Sequence, residues 1–263
     1  MEKIKTVILA GGQGTRLREE TEFKPKPMVQ IGGRPVLWHI LKTYSHFGFR
    51  DFVICLGYKG EIIKEYFINY EMMNNDITVG TGHSKNIEIH PNDNSSEEWQ
   101  ITLAETGLKS MTGCRVKKVE KYIDGETFFL TYGDGLACID LEKLLTFHKS
   151  HGKLATVTGV FPPSRFGELV LKENQVVGFC EKPQTQSGCI NGGFFVFDKA
   201  IFDYLSLDEN CILEHGPIEN LVEKGQLMVF QHQGFWQCMD TQRDMNHLNS
   251  LWDNGEPPWK VWS

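Results

Sequence analysis

Long apolar runs are missing from this 263-residue sequence. None approaches the roughly 18 residues that a membrane-spanning helix needs. The apolar stretch in the opening MEKIKTVILAGG is short and carries no small-residue cleavage site, so no secretory leader is expected there. A cytoplasmic protein with no membrane partner is the expectation. Basic residues are also few: 27 Lys and Arg against 34 Asp and Glu leave a formal charge of −7. A nucleic-acid binder would show a basic domain, so no nucleic-acid partner is expected, and an anionic ligand must find its positive charge gathered locally. Seven cysteines (Cys55, Cys114, Cys138, Cys180, Cys189, Cys211 and Cys238) include no C-x-x-C spacing. An odd number without that spacing indicates neither a disulfide framework nor a zinc ribbon, and the cysteines are expected as small buried hydrophobes. No Ser/His/Asp or Cys/His arrangement stands out, and His148 with His151 reads as a helix-end pair beside Gly152.

What is present is alternation, on an ordinary globular composition of 40% hydrophobic and 23% charged residues. KTVILAGG (residues 5–12) is a short β-branched run stopped by glycine, the pattern of a buried parallel strand. A helix pattern follows at 36–48, ending on Gly48, then a strand at 51–58 and a helix at 61–73. The order repeats with a strand at 127–135, a helix at 141–152 and a strand at 154–160. Such alternation predicts βαβ units and a mainly parallel sheet covered on both faces. Residues 74–105 break the rhythm, being polar and Asn-rich, and are expected to form an inserted hairpin or mobile loop. Beyond residue 160 a more strand-rich block is interrupted by helices near 200–206 and 216–225, with no internal repeat.

The stretch LAGGQGTRL (residues 9–17) has the glycines of a phosphate loop but fits neither common pattern. A Walker loop needs Lys and Ser/Thr after its last glycine, where Gly14 is followed by Thr15, Arg16 and Leu17; the dinucleotide fingerprint would need a glycine where Leu17 stands. What remains is a glycine turn at the carboxyl end of the first strand, the edge at which open α/β sheets bind ligands. Arg16 adds a fork of donors suited to phosphate, and Lys26 a movable point charge, held on an extended loop by Pro25 and Pro27. The loop reads as built for a polyphosphate, against the blander reading of a turn with solvated cations.

Two carboxylates follow far along the chain, Asp134 in TYGDG and Asp240 in WQCMDT, each at the end of a strand pattern. If both strands join the sheet that carries the glycine turn, the acids converge beside the phosphates, and a hard divalent cation such as Mg²⁺ is implied. Taken singly, either is as readily a turn or cap residue. In the second block Glu181 and Lys182, Asn191 with Gly192 and Gly193, and Gly167 are candidates to meet a sugar phosphate; Arg115 is a candidate phosphate contact or an exposed helix-start arginine.

In order, LAGGQGTRL, KPKPM, TYGDG, FGEL, EKP, INGGFF and WQCMDT span nearly the whole chain. The set resembles the sugar-phosphate nucleotidyltransferases, and SMTGCRVKKV, PPSRFGEL and PPWKVW resemble their cytidylyl branch. The resemblance implies an α/β, Rossmann-like sheet flanked by helices, with a small sugar-binding β subregion and no C-terminal β-helix. It implies one nucleotidyltransferase domain over 1–263, with 1–160 mainly for the nucleotide and 161–263 mainly for the sugar phosphate. The implied reaction is CTP plus α-D-glucose 1-phosphate giving CDP-glucose and pyrophosphate, with Mg²⁺, in a homo-oligomer. By motif, Leu9, Ala10, Gly11, Gly12, Gln13, Gly14, Thr15 and Arg16 would contact the nucleotide, with Lys26 on its phosphates. Ser110, Thr112 and Arg115 would reach it from a mobile flap, and Gly133 would lie by the ribose and base. Arg16, Lys26, Asp134 and Asp240 would be catalytic, the two acids holding the metal; Gly167, Glu181, Lys182, Asn191, Gly192 and Gly193 would take the sugar phosphate. The 74–100 insert and the tail tryptophans Trp252, Trp259 and Trp262 are interface material, or the tryptophans simply cover a core edge. Three rivals stay open: a uridylyl- or thymidylyltransferase on this fold, a non-catalytic nucleotide-sugar-binding subunit, and an NAD-dependent oxidoreductase, the last disfavoured by Leu17.

Overall fold

The structure, a computed structural model, describes residues 4–82, 86–91, 97–162, 168–172, 175–180 and 188–262. Its centre is a seven-stranded sheet. In chain order the strands are β1 (Lys5–Leu9), β2 (Asp51–Leu56), β3 (Gln100–Glu105), β4 (Thr127–Tyr132), β5 (Ala155–Val160), β6 (Ile190–Asp198) and β7 (Leu227–His232). Across the sheet they run β7-β5-β6-β4-β1-β2-β3. β4, β1, β2 and β3 are parallel, β6 is antiparallel to both β4 and β5, and β7 is parallel to β5. The expected mixed, mainly parallel architecture is present.

Strand side chains alternate between faces, so a strand with both faces covered must be apolar at successive positions. Ile8, Phe52, Ile54, Phe129, Phe194 and Val196 belong to one buried cluster, and Val7, Val53, Cys55, Phe128, Leu130 and Phe195 to the other. Helices supply the covers. Val36–His46 contributes Val36, Leu37, Ile40, Leu41 and Tyr44 to the first cluster, a stripe at helical spacing. Thr112–Lys118 contributes Val116, and Pro217–Glu223 contributes Leu221, to the second. Each such fully buried aliphatic or aromatic side chain contributes roughly 1.5–3 kcal/mol.

The chain places β2 and then β3 outward on one side of β1 and returns with β4 on the other side. That reversal opens a crevice outside the carboxyl ends of β1 and β4, where ligands of open α/β sheets bind. The glycine turn and Asp134 lie at its two lips.

Several expectations are corrected. Within residues 74–105 a hairpin does form, Asp76–Val79 against Ile87–His90, but Gln100–Glu105 is an edge strand of the central sheet, because its alternating residues pair in parallel register with β2. The 61–73 helix divides at Asn69 into Gly60–Ile68 and Tyr70–Asn74. Residues Lys199–Tyr204 form a 3-10 turn capped by Asp198. Trp259 is fully buried and Trp262 nearly so, both packed around His39, so the tail covers the core and is not free for an interface. Cys55 and Cys114 are buried as expected, but Cys189 is exposed and Cys138, Cys211 and Cys238 are only partly covered. Among the described residues no helix is long and apolar enough to cross a membrane.

Candidate active site

The turn after β1 is held by backbone bonds from three directions. Ala10 N donates to Cys55 O (3.1 Å), Tyr58 N to Gly11 O (3.1 Å) and Gly133 N to Leu9 O (3.0 Å). Gly14 has φ 64°, a left-handed conformation that favours glycine, and it launches the 3-10 turn Thr15–Leu17. Beneath the turn lies Arg115, 4% exposed, on Thr112–Lys118. Its Nη1 donates to Leu56 O (3.0 Å), Thr106 Oγ1 (2.8 Å) and Gly107 O (2.8 Å), and its Nη2 to Gly11 O (2.9 Å). Burial lowers its pKa from the ordinary value. One guanidinium therefore ties together the loops that follow β1, β2 and β3.

Above it is a cavity of about 370 Å³. Of residues 9–16, all but the exposed Gln13 line it, together with Lys26, Ser110, Thr112, Arg115 and Gly133. The nucleotide-side set expected from the sequence is thus gathered at one place, with two corrections. Arg115 is not an exposed helix-start arginine: it is buried in the cavity wall, where its guanidinium donates to backbone carbonyls and to the Thr106 hydroxyl. Ser110 is equally buried, donating to Thr106 O (2.6 Å) and accepting from Lys118 Nζ (2.9 Å).

The two acids meet through strand register. Trp236–Cys238 pairs antiparallel with Gly135–Ala137, Cys238 opposite Gly135, and Met239 N donates to Asp134 O (2.9 Å). Asp240 is thereby set beside Asp134. Its backbone is fixed from the other side by a capping box, in which Thr241 Oγ1 accepts from Asp244 N (3.2 Å) while the Asp244 carboxylate accepts from Thr241 N (2.9 Å) and Asp240 N (3.1 Å).

Lys26 stands between them. Pro25 is extended and Pro27 sits within the 3-10 turn Lys26–Met28, which fixes the backbone from which the Lys26 side chain projects. Lys26 Nζ lies 2.6 Å from Asp134 Oδ2 and 2.6 Å from Asp240 Oδ1, and Arg16 Nη1 lies 2.6 Å from Asp240 Oδ2. Burial works against both charged forms here, yet the ion pair outweighs it: the Lys26 ammonium is held above its ordinary pKa and the Asp240 carboxyl below its own. The carboxylates and Cys238 Sγ present donor atoms within 4.8 Å of one another. Two carboxylates at that range repel by about 3–4 kcal/mol at an effective dielectric near 20, a cost that the Lys26 ammonium between them offsets. Burial, and then Asp134, push the Cys238 thiol up, and the two carboxylates are the hard oxygen donors of the set. That pair fits one hard divalent cation completed by phosphate and water.

Beyond the acids opens a second cavity of about 770 Å³, on the side expected for the sugar phosphate. Asn191, Gly192 and Gly193 line it, as do Arg16, Asp134 and Asp240. Gly167, Glu181 and Lys182 lie outside the described residues. Sequence reasoning missed Tyr132, Trp236, Arg243 and His247, which also line this cavity. The T-x-x-D pattern of Thr241 and Asp244 marks a helix start directly after Asp240, and would have placed Arg243 in its first turn. Nothing local marks Tyr132.

Similarity to known proteins agrees with this geometry. The family described as nucleotidyl transferase matches residues 5–254. A glucose-1-phosphate cytidylyltransferase of Salmonella typhimurium is 50% identical over 260 residues, covering 98% of this chain and 100% of the relative. A mannose-1-phosphate guanyltransferase of Saccharomyces cerevisiae is 30% identical, covering 94% of this chain and 66% of that protein. The solved structure of an inositol-1-phosphate CTP transferase from T. maritima shares the fold at TM-score 0.63 and 18% identity, covering 97% of this chain and 98% of the other. The chain belongs to the nucleotidyl transferase family.

Proposed function

We propose that this chain transfers the cytidylyl group of CTP to α-D-glucose 1-phosphate, giving CDP-glucose and pyrophosphate. The observation that carries the reading is the Lys26 bridge between Asp134 and Asp240, set where the two cavities meet. The 50% identity to a glucose-1-phosphate cytidylyltransferase over its full length supports the choice of substrates.

The chemistry asks little of proton transfer. A sugar phosphate with second pKa near 6 is already ionised at neutral pH, so the nucleophilic oxygen needs no base. The residues have to hold two anions in line and neutralise charge on the departing pyrophosphate. The glycine turn offers backbone N–H groups, Arg16 spans both cavities, and Lys26 supplies an ammonium at their junction. Asp134 and Asp240 are the residues that would hold Mg²⁺, which when bound supplies charge neutralisation to the phosphates. Lys26, at the junction of the two cavities, is the chain's own cation for neutralising phosphate charge. Asn191, Gly192 and Gly193 orient the glucose phosphate in the larger cavity. Activity with CTP, UTP, dTTP, GTP and ATP against glucose 1-phosphate tests the reading: CTP should lead, a lead by UTP or dTTP changes the base, and no pyrophosphate with any of them leaves only a binding subunit.

We also read the protein as a homo-oligomer. In the hairpin Ile77 stands opposite Ile89 and Val79 opposite Ile87, so all four share one face, and all four are exposed. A lone two-stranded ribbon is marginal in water, and a self-complementary apolar face is what a second copy of this chain can cover.

A further inference from the structure

Between the two cavities runs a hydrogen-bonded chain whose two middle members, Glu214 and Tyr132, have no role in the transfer as described above. Thr112 Oγ1, at the nucleotide cavity, donates to Glu214 Oε2 (2.7 Å) and accepts from Leu213 N (2.9 Å). The other oxygen of Glu214 accepts from the Tyr132 hydroxyl. Asn191 Nδ2, at the sugar-side cavity, donates to that hydroxyl (3.3 Å), while Asn191 Oδ1 accepts from Gly193 N (2.8 Å). The Tyr132 ring lies against the same stretch of β6: a side-chain carbon on Gly193 would come within 2.6 Å of Tyr132 Cδ2. Tyr132 lines both cavities. Burial, and then the charge of Glu214, raise the phenol's pKa, so the hydroxyl keeps its proton and donates.

Geometry of this kind has one evident consequence. Thr112 belongs to the wall of one subsite and residues 191–193 to the wall of the other, and they are joined by hydrogen bonds through one carboxylate and one phenol. We infer that Tyr132 and Glu214 are positioning residues that tie the two subsites together and set the spacing between the bound nucleotide and the attacking sugar phosphate. The inference rests on the proposed transfer reaction. A positioning tie acts on the relative placement of two substrates, not on the affinity of either, and misplacement of about 1 Å is enough to cost on the order of 10²-fold in rate.

The test uses the full-length protein and the variants Tyr132→Phe, Glu214→Gln and the double change. Tyr132→Phe keeps the ring on Gly193 and Phe195 and removes only the hydroxyl. Each single change should lower kcat by about tenfold or more with unchanged melting temperature, while calorimetric Kd values for CTP alone and glucose 1-phosphate alone stay within about twofold of the parent. The double variant should be no worse than the worse single, as for two members of one unit. Thr112→Val, which cuts the tie at its other end, should give the same kcat loss, and Thr112→Ser should restore it. Parental kcat in Tyr132→Phe, losses that multiply in the double variant, or a raised Kd for glucose 1-phosphate with kcat intact would each overturn the tie; the last would make the phenol a direct sugar contact. A parent without transfer activity would instead sink the proposed function, and the tie with it.

Discussion

Arg115 Nη2 donates to the carbonyl oxygen of Gly11 at 2.9 Å, and the same guanidinium occupies the space that a side chain on Gly11 would need. Glycine is required here by what lies below the turn, not by what approaches from above. Gly12, one residue on, faces open space.

The two glycines should therefore separate on substitution. Gly11→Ala should destabilise the fold by about 1–3 kcal/mol through overpacking, lowering the melting temperature and weakening CTP binding with it. Gly12→Ala should melt like the parent. Equal melting temperatures for the two variants would mean that Arg115 does not brace the turn.

Lys26→Ala should lower kcat by roughly 10²-fold at saturating CTP, the loss expected for one electrostatic stabiliser. Asp134→Asn and Asp240→Asn should each raise the Mg²⁺ concentration needed for half-maximal turnover, and chelation by EDTA should abolish turnover in the parent. An Asn variant that titrates with Mg²⁺ as the parent does takes that acid out of the metal site.

Stability should fall on the acid side of neutrality because of His39. Its Nε2 meets Ile31 O (2.9 Å) and its Nδ1 accepts from Trp259 Nε1 (3.3 Å), an arrangement that holds the neutral ring. Burial lowers its pKa from the ordinary 6.5 to about 4. The stability tied to the neutral form is fully present above 6.5 and is lost as pH falls toward 4, at about 1.4 kcal/mol per pH unit and roughly 3 kcal/mol in all. Urea midpoints at pH 7.5 and pH 5 should differ accordingly in the parent. His39→Gln should reduce the difference, leaving what His148, also lowered to about 4, contributes; a variant as pH-sensitive as the parent would clear His39.

If a second copy covers the hairpin, Ile77→Asp with Ile89→Asp should shift the protein to a smaller species in analytical ultracentrifugation without lowering its melting temperature to that of a core variant. An unchanged sedimentation coefficient would show that the ribbon's apolar face is not the interface.

Much of the site was legible because its parts sit at element ends. Glycine after a β-branched run, lysine between two prolines and aspartate after a strand are local patterns with local causes, and they marked residues 9–16, Lys26, Asp134 and Asp240. What the sequence left open has a different origin. Arg115, Trp259 and Trp262 are polar or amphipathic side chains at exposed-looking positions, and their burial depends on which loops and helices close over them.

The sequence alone therefore determined the alternation of elements, the apolar strands and the turns, since these follow from side-chain period and backbone preference within a few residues. Tertiary structure decided which charges meet: Lys26 joins Asp240 across 214 positions, and Tyr132 joins Glu214 across 82. Those pairings come from the order in which strands enter the sheet and from the Cys238-to-Gly135 register, and such nonlocal choices leave no periodic trace along the chain.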